Sequence, residues 1–249
     1  MKIFTKNTLI LFVLLSFSTS IYSQITTDRP GQTDNSLTVG SGNFQLETGL
    51  YTEFVGEGTS AANNTLNPIV LLRYGLSRIV ELRVTSALKS SEVLKQKTRG
   101  IGDFEIGAKI QLLDKEDINT KISLVSHLVT PSGSEGFSGG DYGTVNKLAL
   151  SHVLGSNMGV SYNIIYAYYG SGSGDLNYTF NFSVAVNDKF SFFIEPYGNY
   201  VNMDQFNQSF DTGFAYLIKD NLQVDFAFAS GINHKMTHFA TGISWLIMN

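Results

Sequence analysis

The 249-residue sequence has no cysteine, only 4 prolines and few charged residues, which make up 15% of the chain. Without cysteine, a disulfide scaffold, a cysteine-based zinc site and a catalytic thiol are all excluded. The charged fraction is well below the roughly 25% of an ordinary soluble domain, yet the mean hydropathy is a neutral +0.02. The formal charge of −4 argues against a nucleic-acid partner. Glycine and aromatic residues are abundant, with 24 Gly, 18 Phe and 12 Tyr.

Residues 1–23 have the features of a signal peptide. Lys2 and Lys6 precede the apolar run 9–15, and small residues lead to a cleavage point that we expect after Ser23. The alternative is an N-terminal membrane anchor, but the run is shorter than the ~20 residues that a spanning helix needs. Cleavage would leave 15 basic and 21 acidic residues and a net charge of −6. We therefore expect an exported protein.

Apolar and polar residues alternate along the rest of the chain. In the segment 176–186, Leu, Tyr, Phe, Phe, Val and Val occupy one face, and Asn, Thr, Asn, Ser and Ala occupy the other. The segments 44–54, 103–112 and 159–168 show the same period of two. This period is typical of β-strands with one apolar face. No stretch after the signal peptide is apolar for 18 residues, so the pattern predicts no transmembrane helix.

The alternation predicts twelve strands joined by connections that are alternately short and long. The strands are expected at 42–54, 65–74, 78–89, 101–113, 120–130, 144–154, 158–169, 175–186, 190–200, 206–218, 221–230 and 237–248. Most have ten or more residues, which matches tilted membrane strands of about 9–11 residues better than soluble strands of 5–6. The polar face is mainly Asn, Thr, Ser, Gly and Gln, as expected for an enclosed lumen. A soluble β-sandwich is the alternative that the same spacing permits. The sequence favours an all-β, antiparallel transmembrane β-barrel with short periplasmic turns and longer extracellular loops.

Several short segments resemble a family of bacterial outer-membrane transporters. They are Asp28-Arg29-Pro30-Gly31-Gln32-Thr33-Asp34, the run 42–49, Arg73-Tyr74-Gly75-Leu76, Gly100-Ile101-Gly102-Asp103-Phe104, Phe193-Ile194-Glu195-Pro196 and the run 211–216. The family is labelled for the meta-pathway of phenol degradation. The resemblance covers nearly the whole mature chain. It implies an outer-membrane barrel that passes small, apolar or aromatic molecules, and it assigns no catalytic or binding residue.

Ionisable residues on the polar face are the candidate lumen and selectivity residues. They are Glu47, Glu53, Arg73, Glu81, Arg83, Asp103, Glu105, Lys109, Lys121, Glu195, Asp211 and Asp225, with Lys89 and Lys147 on the same face. At membrane depth such groups must face a lumen and find water or a partner. Two interpretations stay open: a charged constriction that selects solutes, or a salt-bridge network that fills a narrow barrel.

Two segments outside the strands bear on whether the lumen is open. The polar segment 26–36 precedes the first strand, and it could gate the periplasmic mouth, be an ordered lead-in or be a flexible tail. The segment 131–143 is the longest predicted loop, and it could either narrow the pore or remain solvated. We assign residues 24–41 to a periplasmic lead-in and 42–249 to the barrel.

Outer-membrane phospholipase activity is the enzymatic alternative. It needs a serine and a histidine packed together on the lipid face. Ser126-His127 and Ser151-His152 are adjacent in sequence, so within a strand each pair points to opposite faces. We therefore predict no catalytic residues, no metal and no cofactor.

The sequence thus predicts a monomeric outer-membrane barrel of a Gram-negative bacterium. Its expected partners are outer-membrane lipid, a small-molecule solute and, during biogenesis, the barrel-assembly machinery. The alternative functions are a plugged structural barrel and a lipid hydrolase.

Overall fold

A computed structural model describes residues 25–115 and 118–247, so the predicted signal peptide lies outside the described residues. Within the described ranges, no helix is long and apolar enough to cross a membrane. The strands are β1 (Phe44–Val55), β2 (Ala62–Gly75), β3 (Val80–Val93), β4 (Gln96–Ile101), β5 (Glu105–Asp114), β6 (Thr120–Val129), β7 (Gly143–Val153), β8 (Met158–Tyr168), β9 (Asp175–Ala185), β10 (Phe190–Val201), β11 (Gln205–Lys219), β12 (Leu222–Gly231) and β13 (Met236–Ile247).

The strands close into an antiparallel barrel of twelve wall strands. Each wall strand pairs with the next wall strand along the chain, and β1 pairs with β13 from Phe44 opposite Ile247 to Val55 opposite Met236. The strand β4 adds no position to the wall. It lies in line with β5. β4 pairs with the extracellular half of β3, residues 88–93, whereas β5 pairs with the periplasmic half, residues 80–85. Among the twelve wall strands that the structure describes, closure leaves no free edge along the wall, which is the condition for crossing a bilayer with strands.

The two faces of the wall have opposite chemistry. Outward side chains are large and apolar, including Leu50, Ile106, Ile164, Phe180 and Trp245, each more than 40% exposed. Buried side chains along the same strands are mostly polar or charged. This inversion of a soluble protein is what hydrocarbon on the outside requires. It confirms the predicted all-β transmembrane barrel.

Connections at the end where β1 begins and β13 ends are short, and we assign this end to the periplasm. They are the segments 76–79, 115–119, 154–157, 186–189 and 220–221. The opposite, extracellular end has the longest connection, at 130–142. Its start is fixed by Ser134, whose backbone N–H donates to the Ile101 carbonyl and whose Oγ accepts from the Ile101 N–H.

The sequence prediction of a loop at 90–100 is wrong. β3 runs to Val93 and turns through Leu94 and Lys95, both with left-handed φ values of 51° and 66°, into β4. Two consecutive left-handed residues form the hairpin turn whose twist matches its strands. The pattern missed this hairpin because its residues are polar on both faces, so no hydrophobic alternation marks them.

Two prolines lie in wall strands, Pro68 in β2 and Pro196 in β10. Pro196 in β10 has no N–H to donate, and the β9–β10 pairing skips from Ile194 opposite Phe182 to Tyr197 opposite Thr179. The Asn181 side chain spans the gap by donating to Glu195 Oε2 at 2.9 Å.

The orientation of the faces predicts the effect of a charge on β9. Phe180→Arg would place a cation in hydrocarbon and should lower the free energy of unfolding by about 2–4 kcal/mol, measured by urea titration in liposomes. Ser156→Arg, in an exposed periplasmic turn, is the control and should cost about 0–1 kcal/mol. Equal effects of the two substitutions would mean that Phe180 does not face lipid.

Candidate functional site: the plugged lumen

The barrel interior holds most of the predicted ionisable residues. Fully or almost fully buried inside are Glu47, Arg73, Glu81, Arg83, Lys109, Glu195, Asp211 and Asp225. Glu53 and Glu105 are partly buried and bond to inward side chains, Tyr51 and His127 respectively. Lys121 lies at the periplasmic rim, where it pairs with Asp114. A role for these residues in solute selectivity stays a prediction.

Asp103 is the exception to the inward placement that alternation predicts. It lies between β4 and β5, and its carboxylate accepts hydrogen bonds from Gly133 N at 2.7 Å and Gly139 N at 2.9 Å. Slight burial opposes ionisation, but these backbone donors outweigh it and lower the pKa of Asp103. Asp103 therefore anchors the loop 130–142. Alternation does not place it correctly, because the strand is interrupted between β4 and β5.

The segment that precedes β1 lies inside the barrel. We call residues 25–43 the plug segment. Its ends are tied to periplasmic turns: Ile25 N donates to the Asp220 carbonyl at 3.1 Å, and Thr38 Oγ1 donates to the Arg78 carbonyl at 2.8 Å. Between these points the chain rises to contact side chains in the middle of the wall. Of the three alternatives for residues 26–36, the structure contains an ordered segment within the lumen.

Asp28 is the centre of the contacts between the plug segment and one side of the wall. Its carboxylate accepts from Arg83 Nη1 at 2.6 Å, from Lys109 Nζ at 3.0 Å and from Asn35 N at 2.7 Å. Burial by itself would raise the pKa of the Asp28 carboxyl, but Arg73, Lys109 and Arg83 hold it well below its usual range. Asp28 is therefore a buried anion stabilised by cations from three strands.

Arg73 is the wall residue that satisfies the most partners. Its Nε and Nη2 donate to Glu81, its Nη1 donates to Glu47 at 2.7 Å, and the remaining N–H groups reach the plug carbonyls of Thr26 at 2.8 Å and Leu37 at 3.1 Å. All five guanidinium donors are used, which is the condition for burying such a charge at acceptable cost.

Arg29 binds the plug segment to the side of the wall opposite the one that Asp28 contacts. Its Nη2 pairs with Asp225 at 3.0 Å. The guanidinium lies against Gly49 and Gly242, where an added Cβ would stand 2.6 Å and 2.4 Å from Nη2. Only glycine leaves room for Arg29 at these two wall positions.

Two further wall contacts fix the middle of the plug segment. Glu195 accepts from Gln32 N and Thr33 Oγ1, both at 3.0 Å. Asp34 accepts from Lys147 Nζ at 2.8 Å, and its backbone N–H donates to Asn163 Oδ1 at 2.7 Å. The plug segment therefore contacts the wall on nearly every side.

A cavity of about 510 Å³ lies on the extracellular side of the plug segment. Aliphatic side chains form much of its wall, and they include Leu66, Ile69, Val145 and Ile165. Tyrosines and amides supply hydrogen-bonding groups, and residues 28–34 contribute to the floor. A half-apolar cavity of this size matches the small-molecule sites of proteins, which span about 300–1,000 Å³.

A hydrogen-bonded row of three side chains connects the cavity to the plug contacts. Glu105 Oε2 lies 2.9 Å from His127 Nδ1, and Arg83 Nε donates to His127 Nε2 at 3.1 Å. Because Nε2 accepts from Arg83, a neutral His127 carries its proton on Nδ1 and donates to Glu105. Arg83 in turn holds Asp28, so the cavity wall and the plug segment share one cation.

The serine and histidine residues that the sequence offers for catalysis or metal binding lie apart or are bonded to other groups. Ser126 is exposed on the outer face, whereas His127 is buried inside, as expected for neighbours in a strand. His152 is bonded on both ring nitrogens, to Thr120 Oγ1 at 2.8 Å and to Tyr162 OH at 3.1 Å. Residues 25–115 and 118–247 contain no group of three or more metal-ligating side chains.

Comparisons with known proteins agree with this architecture. The outer membrane channel COG4313 from Pseudomonas putida F1 matches with a TM-score of 0.65 and 14% identity, over 88% of this chain and 99% of that chain. The KdgM porin, in complex with disordered oligogalacturonate, matches with a TM-score of 0.57 and 9% identity, over 81% and 98% of the two chains. At these identities the similarity establishes the fold. No curated protein matches the chain at a significant level.

The fold is that of a β-barrel of the Gram-negative outer membrane. A family model described as "Putative MetA-pathway of phenol degradation" matches residues 27–245. The chain belongs to this family, and the resemblance seen in its short motifs is confirmed.

Sequence reasoning did not identify the plug residues that bind the wall. Asp28, Arg29 and Asp34 precede the first predicted strand, so strand alternation does not select them. A usable signal was present, since three charges and Gly31 occur within seven residues of a segment that precedes the first strand. Gly31 has little room for a side chain, because a Cβ there would stand 2.2 Å from Glu195 Oε2.

The ion pairs of Asp28 predict how firmly the plug segment is held. Asp28→Ala would leave Arg83 and Lys109 without this anion and should weaken docking by about 3–5 kcal/mol, the usual cost of breaking a buried pair. The measurement is amide hydrogen exchange of residues 26–39, which should lose protection. Glu57→Gln removes an exposed pair with Lys235 and should leave the exchange unchanged. Unchanged protection in Asp28→Ala would show that the other contacts suffice.

The same carboxylates predict the pH dependence of docking. The pKa values of Asp28 and Asp34 are both lowered in the docked state: burial opposes ionisation, and the cations, Arg73 first for Asp28 and Lys147 first for Asp34, outweigh it. A lowered pKa stabilises docking above the free value of about 3.9, and this contribution is lost as the pH falls below it. Single-channel conductance should therefore stay constant from pH 7 to about 5 and rise below about 4. A rise between pH 7 and 6 would show that Asp28 and Asp34 do not set the pH dependence of docking.

Proposed function

We propose that the barrel carries a small, largely apolar or aromatic molecule across the outer membrane, through the cavity and past the plug segment. The observation that carries the proposal is the half-apolar cavity of about 510 Å³ above the plug segment. Its aliphatic wall would hold an apolar body, and Tyr51, Tyr197 and Asn199 would orient a hydroxyl or similar polar group.

Passage in this scheme requires the plug segment to move. In the described conformation its side chains occupy much of the periplasmic half of the interior, beside a second cavity of about 240 Å³, and bond to both sides of the wall. The two ends tied to periplasmic turns allow the middle to shift without releasing the chain. The charged wall residues would then serve mainly to hold the plug segment, and they would contribute to solute selectivity only when it has moved.

A channel is proposed in preference to an enzyme. Support comes from the placement of Ser126 and His127 on opposite sides of the wall, where they cannot form a dyad. We further propose that one chain is the working unit, because β1 and β13 of the same chain close the barrel. Outer-membrane lipid and the barrel-assembly machinery are the partners that such a barrel needs.

Deletion of residues 26–38 tests the channel against a permanently plugged, structural barrel. The deletion should raise single-channel conductance in planar bilayers at least several-fold, because the cross-section occupied by the plug segment becomes open to ions. Liposomes containing the intact protein should also take up phenol-sized aromatic probes faster than protein-free liposomes. Heat-dependent gel mobility controls for folding of the truncated barrel.

The outcomes separate the two functions. If the intact protein gives no uptake of any apolar probe and only the deletion conducts, then the barrel is a plugged structural protein. Substituting Ile165→Asp on the cavity wall, with Ile164→Asn on the lipid face as a comparison, should reduce uptake of aromatic probes selectively.

A further inference from the structure

We infer that the outer face of the β3–β4 hairpin is a binding site for a phosphate-bearing glycolipid of the outer leaflet. The hairpin residues 88–101 contain four cations, Lys89, Lys95, Lys97 and Arg99, and a single acid, Glu92. This site lies outside the lumen and does not depend on the transport proposal.

The distribution of charge at the extracellular end singles out this hairpin. The connections 56–61, 130–142, 169–174, 202–204 and 232–235 together contain four acids and one base: Glu57, Glu135, Asp141, Asp204 and Lys235. Moreover, Lys235 is already paired with Glu57 at 3.2 Å. The extracellular rim is therefore acidic except where the hairpin stands, so an anion at this level meets attraction at one place only.

Strand pairing fixes which side of the hairpin the cations occupy. Leu88 pairs with Ile101, and both are exposed apolar residues on the outer face, at 49% and 44% exposure. The next pair on the same face is Ser90 with Arg99, and the one after it is Glu92 with Lys97. Because alternate residues share a face, Arg99 and Lys97 both point away from the lumen.

The height of these cations matches the headgroup layer. Two residues along a strand advance about 7 Å, and the tilt of a barrel strand reduces the vertical rise to about 5 Å. Arg99 therefore stands about 5 Å beyond the last apolar pair, within an interfacial layer that is itself about 5–7 Å thick on each side. Cations at this position meet phosphates directly above the hydrocarbon.

A groove accompanies the charges. It has a volume of about 540 Å³ and crosses β2, β3 and β4, with Thr65, Asn67, Ser90, Lys97 and Arg99 among its lining residues. The register shift between Leu66 and Ile69 in the β2–β3 pairing bends the wall at its lower edge. Hydroxyl and amide groups beside the two cations supply further hydrogen bonds for a phosphate or sugar.

Lys97 and Arg99 are available to bind an anion, and the loop 130–142 supports their hairpin on its inner side. Among the residues that the structure describes, the ion pairs within 4.0 Å involve neither Lys97 nor Arg99. On the inner side, the loop 130–142 packs against β4, where a Cβ at Gly100 would stand 2.6 Å from Ser134 Cβ and 2.8 Å from Phe137. The site is thus preorganised, which reduces the entropy lost on binding.

The experiment measures retention of bisphosphorylated lipid A by the full-length protein, purified in detergent, using native mass spectrometry over a lipid titration. Lys97→Gln with Arg99→Gln should weaken binding about 30-fold, since each cation near an anionic surface contributes about 1 kcal/mol. The control is Lys189→Gln with Lys219→Gln, which removes two exposed cations at the periplasmic end and should change binding less than twofold. Heat-dependent gel mobility establishes that each variant is folded.

Three outcomes would overturn the inference. The hairpin variant could bind as well as the unchanged protein, or the control variant could lose as much affinity. Dephosphorylated lipid A could also bind as tightly as the bisphosphorylated form. Competition with inorganic phosphate distinguishes the source of the phosphate: displacement of lipid A by millimolar phosphate would identify a free-anion site, whereas resistance supports a glycolipid held also by Leu88 and Ile101.

Discussion

The structure depends on how charged groups are accommodated inside a barrel too narrow to solvate them freely. Arg73 shows the constraint most clearly, because its five N–H groups all have acceptors and two of those acceptors are plug carbonyls. The wall alone therefore does not supply all the acceptors that the buried Arg73 needs. Conversely, Asp28 of the plug segment is stable as an anion only beside Arg83 and Lys109 of the wall. The wall and the plug segment stabilise each other. Without the other part, the buried polar groups of each would need water as their hydrogen-bond partner.

This mutual dependence divides the interior into two parts with different functions. The periplasmic half is held together by ion pairs and backbone hydrogen bonds, which are directional and fix one arrangement of the plug segment. The extracellular half contains aliphatic side chains and a cavity that is closed below by residues 28–34. An apolar molecule gains little by entering the charged half and more by staying in the cavity. Arg83 belongs to both halves through His127 and Asp28, so a molecule that displaces His127 or Glu105 would also disturb the plug contacts.

Much of this architecture could be predicted from sequence, because lipid on the outside imposes a strict period of two. Glu47, Arg73 and Lys109 were placed on the inner face by counting alone, and the structure buries them there. The same rule fails where backbone regularity ends. Asp103 lies at a break between strands, and the polar hairpin 90–100 carries no apolar alternation to count. The plug segment could not be located, since its position depends on partners from β1, β2, β3, β5, β7, β8, β9, β10 and β12 that only the closed barrel brings together.

The glycines opposite Arg29 show why the plug segment and the wall must be considered as one design. Gly49 pairs with Gly242 across β1 and β13, the seam at which the barrel closes. Two adjacent glycines weaken a sheet by removing cross-strand side-chain contacts, so their presence at the seam costs stability. Arg29 occupies the space they leave and pairs with Asp225 on the neighbouring β12. The plug segment therefore fills a gap at the closure seam as well as the pore. Its movement during transport would expose a weakened part of the wall, and a barrel that opens in this way must rely on the remaining β1–β13 hydrogen bonds to stay closed.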